Sequence, residues 1–256
     1  MSPYIRVGPD GTVWLAGADL RVVRSVDGGR AWSEVRHDLD LDFGSSLSYT
    51  TFRQPVRYAF APSSVDAETL YLVTRTAEGG ETGLWIRVSH DGASTWSEPV
   101  RVDDGNEGDA FGPMIAVASD DRVAVAFFDR RLACPLADTV EAVAAGLEWD
   151  PGTDAAPGSP VGKAGYCVNV AMARWTDDLA PIGTNLRLTP ASWDPQLSAP
   201  RPDGIEGGVT FIGDYFGIAV TDDAIYTATP STLNFDGENP FFHQQQWVAR
   251  VGWEPR

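Results

Sequence analysis

The chain has 256 residues, 43% hydrophobic and 11% aromatic, enough to fill a sizeable core and to exclude global disorder. Its formal net charge of −17 repels nucleic acid and anionic membrane surfaces, so neither is an expected partner. No apolar run approaches the roughly 18 residues of a membrane span, so membrane insertion is not expected either.

The 26 glycines and 18 prolines indicate frequent turns, and the strand-like runs fall into four similar units. The first spans about 1–40 and reads YIRVGPDG, TVWLAGAD, LRVVRSVDGG, AWSEV. It enters a strand at once, with no basic and then apolar leader, which suggests a trimmed chain or a piece of a longer protein. A long loop follows, Asp38–Thr51. The second unit, about 52–105, reads VRYAFAPSS, TLYLVTRT, LWIRVSHDG, TWSEPVRV. The third, about 108–190, reads GPMIAVASDD, RVAVAFFD, YCVNVAMARW, TNLRLTP. An insertion over 132–165 interrupts it, helix-forming in its first half and loop-like in its second. The fourth, about 208–256, reads FGIAVTDD, AIYTATP, QQWVARVGW. The two cysteines, Cys134 and Cys167, bracket the insertion. A disulfide there suits an extracytoplasmic protein, and two free core thiols are the alternative.

Two octapeptides share one pattern: SVDGGRAW, Ser25–Trp32, and SHDGASTW, Ser89–Trp96. Each joins two strand-like runs. An Asp side chain can accept hydrogen bonds from the backbone of its own turn, Ser does so more weakly, and Gly supplies positive φ. Asp27 and Asp91 are therefore expected to cap their turns, and Trp32 and Trp96 to bury against them.

These octapeptides resemble the Asp-box (BNR) repeat of sialidase-like β-propellers, with Ala31 and Ala93 at two positions of departure. RWTDDLAP, Arg174–Pro181, resembles a decayed third copy. The resemblance implies an all-β fold, a single propeller domain of four-stranded antiparallel blades, with the boxes on outer turns away from the central funnel. Four blades are visible, so the ring is either small, incomplete, or completed by a further chain or segment. Unpaired edge strands favour closure.

In such propellers the funnel is lined where the innermost strands begin. TFRQPVRYAF resembles the motif whose arginine grips a sugar carboxylate, which places Arg53 as substrate-binding, with Gln54 where the family has Ile. GDAFGPMIAV from Gly108 and GDYFGIAV from Gly213 occupy the same place in the third and fourth units. The resemblance then makes Tyr215 the candidate nucleophile and Asp109 and Asp214 candidate acid or base. The bland reading of both Gly-Asp pairs is a strand-initiating turn. Arg75 and Arg131 are candidate substrate-binding partners by blade position, with Arg201 behind them, and Glu206 is the nearest Glu to Tyr215 in sequence.

No cofactor is expected. DDGNEGD, Asp103–Asp109, offers oxygen ligands for Ca²⁺ but lacks the full loop pattern, and an acidic solvated turn is the alternative. His37, His90 and His243 show no zinc-ligand spacing. Two functional readings follow. One is a secreted or cell-surface propeller recognising carbohydrate or glycoconjugate in its funnel, an exo-glycosidase of sialidase type if an enzyme. The other is a non-catalytic Asp-box propeller, a structural or protein-interaction module.

Overall fold

The computed structural model describes residues 4–17, 20–35, 39, 41–42, 47, 52, 57–78, 81–105, 109–132, 167–193, 195, 211–232 and 244–254. They form an all-β propeller of antiparallel sheets, with no helix among them. The expected helical half of the insertion lies outside the described residues.

The first sheet holds β1 (Tyr4–Val7), β2 (Val13–Ala16), β3 (Val22–Ser25) and β4 (Ser33–Val35), paired in that order. The second holds β5 (Tyr58–Pro62), β6 (Leu70–Glu78), β7 (Glu81–Ser89) and β8 (Val100–Arg101). The third holds β9 (Ala110–Val117), β10 (Val123–Asp129), β11 (Asn169–Trp175) and β12 (Leu186–Arg187). The fourth has three strands among the described residues, β13 (Gly217–Val220), β14 (Ala224–Ser231) and β15 (Gln245–Gly252). Every strand pairs with its neighbour in sequence, so each sheet is one blade. The innermost strands follow one another: β1 touches β5, β5 touches β9, and β9 touches β13.

Period-two alternation along each strand supplies a core to both blade faces. On β10, Val123, Val125 and Phe127 pack towards the second blade with Tyr71, Val73 and Ile86. Ala124, Ala126 and Phe128 face the other way, with Trp193, Ile212 and Phe216. The core also joins the first blade to the third, where the Tyr4 hydroxyl donates to Met114 Sδ at 3.5 Å. The first and last blades each leave one face open. Ile5 and Val7 are 55% and 61% exposed on β1, and Val248 is 65% exposed on β15.

The octapeptide turns form as expected in one respect. Asp27 accepts from the N–H groups of Arg30 and Ala31, each at 2.9 Å, and Asp91 from Thr95 N–H at 2.8 Å and its hydroxyl at 2.6 Å. Gly92 suits the turn, since its φ of +66° is one that residues with a Cβ rarely adopt and a Cβ would force the Glu68 carboxylate, 2.3 Å away, to move. Ala93 also takes a left-handed φ of +69°, a strained position for a residue with Cβ. The tryptophans correct the expectation. Trp96 is only partly buried, and Trp32 is 43% exposed, its indole N–H donating to Gly29 O at 3.0 Å. Trp32 thus stays against its own turn, bonded to Gly29 rather than covered.

Cys167 is fully buried beside β11 and disulfide-bonded, as expected for a bond to Cys134. The surroundings of Cys134 lie outside the described residues.

Candidate functional site

The upper face of the propeller is the one where β1, β5, β9 and β13 begin. Antiparallel order also brings the ends of β6 and β10 to it. In the second blade Arg75 N–H donates to Arg57 O at 2.7 Å. In the third, Arg130 N–H donates to Asp109 O at 2.8 Å. Arg57 with Arg75, and Asp109 with Arg130, thus hold equivalent positions in neighbouring blades.

Their side chains meet. Asp109 Oδ2 lies 3.3 Å from Arg130 Nη2, and Oδ1 lies 3.9 Å from Arg75 Nη2. Both guanidinium groups are buried, whereas the Asp109 side chain keeps 24% of its surface exposed. Arg130 also lies over the Phe52 ring, 5.9 Å from its centroid. Burial pushes Arg75 below its ordinary value; Asp109 opposes this, and the neighbouring Arg57 adds to it. The arrangement is a partly open carboxylate fixed by two buried cations from adjacent blades. Such a group has a set orientation and can accept from a ligand hydroxyl or take part in proton transfer.

The other expected site residues are placed differently. Arg53, Arg201 and Glu206 lie outside the described residues. Asp214 is half-buried and Tyr215 is 60% exposed on the approach to β13. This is the same face as Asp109, but no bond recorded among the described residues joins either residue to it. Burial pushes the Tyr4 hydroxyl up, with Arg6 opposing and Tyr58 and then Tyr215 adding.

Arg131 does not join Asp109. Its guanidinium takes Asp129 in a two-point grip, Nε to Oδ1 and Nη2 to Oδ2 at 2.9 Å each. It also pairs with Asp104 and reaches Asn185 Oδ1 at 3.3 Å. This ties the second blade to the third on the outer side of β10, so Arg131 braces blades where ligand contact was expected. The residue that reasoning from sequence passed over is its neighbour, Arg130. Its signal was the adjacent pair Arg130-Arg131 at a strand end, where successive side chains point to opposite faces.

Burial pushes the Asp129 carboxyl up to about 6, the Arg131 backbone N–H and Arg187 opposing, Asp103 adding. A folded value above the ordinary 3.8 means that the folded state binds more protons than the unfolded one between about pH 4 and 6. This group's contribution to stability is therefore greatest in acid and is lost as pH rises through 6. Relative to Asp129→Asn, the wild type should lose stability from pH 4 to 6 with a slope approaching about 1 kcal/mol per pH unit. Parallel denaturation profiles for the two proteins would contradict this.

The suggested Ca²⁺ stretch is otherwise engaged where it is described. Asp103 accepts from Leu84 N–H at 2.7 Å, Gly105 N–H at 3.0 Å and Arg101 Nε at 2.9 Å. Residues 106–108 lie outside the described ones. Among the described residues no cluster of three or more His, Cys, Asp or Glu is placed to hold a metal ion.

No protein-family model matches the chain, and no curated protein matches it. Solved structures with a similar run of strands include an endo-arabinase from Bacteroides thetaiotaomicron (TM-score 0.47, 14% identity, 98% of this chain and 74% of that one). A xylan beta-1,4-xylosidase from Bacillus halodurans gives TM-score 0.41 and 12% identity over 97% of this chain and 39% of that one. The phage phi92 endosialidase gives TM-score 0.44 and 11% identity over 94% of this chain and 33% of that one. The chain spans less than two fifths of the xylosidase and the endosialidase.

Proposed function

We propose that the chain is an extracytoplasmic carbohydrate-recognising propeller of glycosidase type, with its ligand on the upper face at Asp109. The observation that carries this reading is the partly exposed Asp109 carboxylate fixed between buried Arg75 and Arg130 at 3.9 and 3.3 Å. An ion pair needed only to join two blades gains nothing from an opening to solvent, whereas a hydroxyl acceptor requires one. Exposed Tyr215 on the same face supplies an aromatic surface against which a sugar ring can lie. The ligand class follows from the resemblance of the Asp-box turns, and the buried disulfide fits an oxidising compartment.

A second reading is a non-catalytic module, in which Asp109 serves to tie the second and third blades through Arg75 and Arg130. A glycan array with wild type, Asp109→Asn and Tyr215→Phe separates the cases. We expect saccharide binding that Asp109→Asn weakens at least about tenfold, equivalent to about 1.4 kcal/mol. Equal binding by wild type and Asp109→Asn would sink the assignment of this site. Release of a reducing sugar from the bound glycan distinguishes enzyme from module.

A further inference from the structure

The third blade meets the second along a lateral cleft of about 250 Å³, on the outer side of the ring. Its floor is Ala173 and Trp175 of β11, both buried, and its walls are Arg101, Asp104, Thr184 and Asn185. The walls are held rigidly. Arg101 donates to Asp103 at 2.9 Å and lies over the Trp85 ring at 5.2 Å. Asn185 spans the seam, donating to Val102 O at 3.0 Å and accepting from Arg131 at 3.3 Å. Asp104 is paired with Arg131 while half its side chain stays exposed.

Asp103 and Asp104 are paired with Arg101 and Arg131. Arg174, the other charged residue of the lining, is buried and turned to the carbonyls of Gly252, Trp253 and Glu254, so an ionic ligand gains little from the cleft. What the cleft offers is a fixed set of donors and acceptors over an apolar floor, in a volume suited to one small ring. That chemistry selects a neutral polyhydroxylated group. Its position is equally informative. Arg130 grips Asp109 on the upper face, and the next residue, Arg131, grips Asp104 on the cleft wall. The two places are therefore linked through consecutive residues at the end of β10.

We propose that this cleft is an outlying subsite for the same ligand, and that the ligand is a neutral oligosaccharide running from Asp109 over the rim of the third blade. The inference rests on the carbohydrate reading of the upper face and adds that the substrate is a chain of neutral sugar units. Binding should then strengthen with chain length until the cleft is filled.

The test uses the full chain and linear neutral glucans, mannans, xylans and arabinans of two and six units, with matching uronic acid oligomers as the charged arm. Affinities are measured for wild type, Asp109→Asn, Thr184→Arg and Thr184→Ser, with melting curves to confirm folding. Thr184 is exposed at the cleft mouth, so arginine there obstructs the cleft from outside the core. A hexasaccharide should bind wild type about tenfold tighter than its disaccharide. That ratio should fall to near one in Thr184→Arg, stay high in Thr184→Ser, and Asp109→Asn should weaken both lengths. An unchanged ratio in Thr184→Arg, or preference for the charged oligomers, overturns this proposal and leaves the upper-face reading in place. Failure of every neutral saccharide to bind wild type overturns both.

Discussion

Replacing Phe128 with alanine is expected to destabilise the protein by about 3–5 kcal/mol, the range for deleting a fully buried phenylalanine. Phe128 is 1% exposed and is the ring at which three aromatic contacts meet. Phe111 lies 5.4 Å away in the same blade, Phe216 stands edge-on at 5.0 Å from the fourth blade, and Trp193 stands edge-on at 6.3 Å. Phe111 in turn stacks on Phe52 at 5.6 Å, so one ring couples the third blade to both of its neighbours' approaches. Close-packed β10 can refill little of the space, which places the cost at the upper end. Chemical denaturation of Phe128→Ala and Phe128→Leu checks it. A loss below about 1.5 kcal/mol for the alanine variant would show that the blades are held mainly by their polar contacts.

The second large effect is expected from the disulfide. Cys134 and Cys167 enclose 32 residues, and closing a loop of that size lowers the entropy of the unfolded chain by the equivalent of about 3–4 kcal/mol. The double variant Cys134→Ser, Cys167→Ser should therefore unfold at lower denaturant concentration by that amount, and reduced wild type should match it. The bond follows β10 and precedes β11, which share seven antiparallel rows. Its loss should accordingly open that pair first, read by hydrogen exchange at Val170 and Met172 against Leu72 of the second blade. Uniform loss of protection across all blades would contradict the local reading.

The blades were legible because short strand-like runs are separated by turn residues with a definite stereochemical task. Asp27 and Asp91 could be assigned from spacing alone, since a side chain capping its own turn needs only local sequence. Trp32 could not. Whether it is covered depends on what packs beyond the short β4, a tertiary matter. Asp109 was legible as a candidate because a Gly-Asp pair before an inner strand repeats in the next unit. Arg131 was singled out as substrate-binding by blade position and Arg130 was passed over; only the parity at the end of β10 separates the residue facing Asp109 from the one facing Asp104. Arg57 and Arg75 mirror Asp109 and Arg130 one blade earlier, a symmetry of hydrogen-bond register that no motif spells out.

The uncovered faces of the first and last blades bear on how the protein behaves as a colloid. Ile5, Val7 and Val248 present apolar surface at 55%, 61% and 65% exposure, and the formal charge of −17 keeps copies from meeting through it. That restraint works at a range set by dissolved ions, about 30 Å at 0.01 M salt and about 3 Å at 1 M. Attraction between the faces needs no such range and is strengthened by strongly hydrated salts such as sulfate. Self-association should thus be governed by ionic strength more than by temperature, with dilute buffer keeping the protein dispersed and sulfate drawing its open blades together.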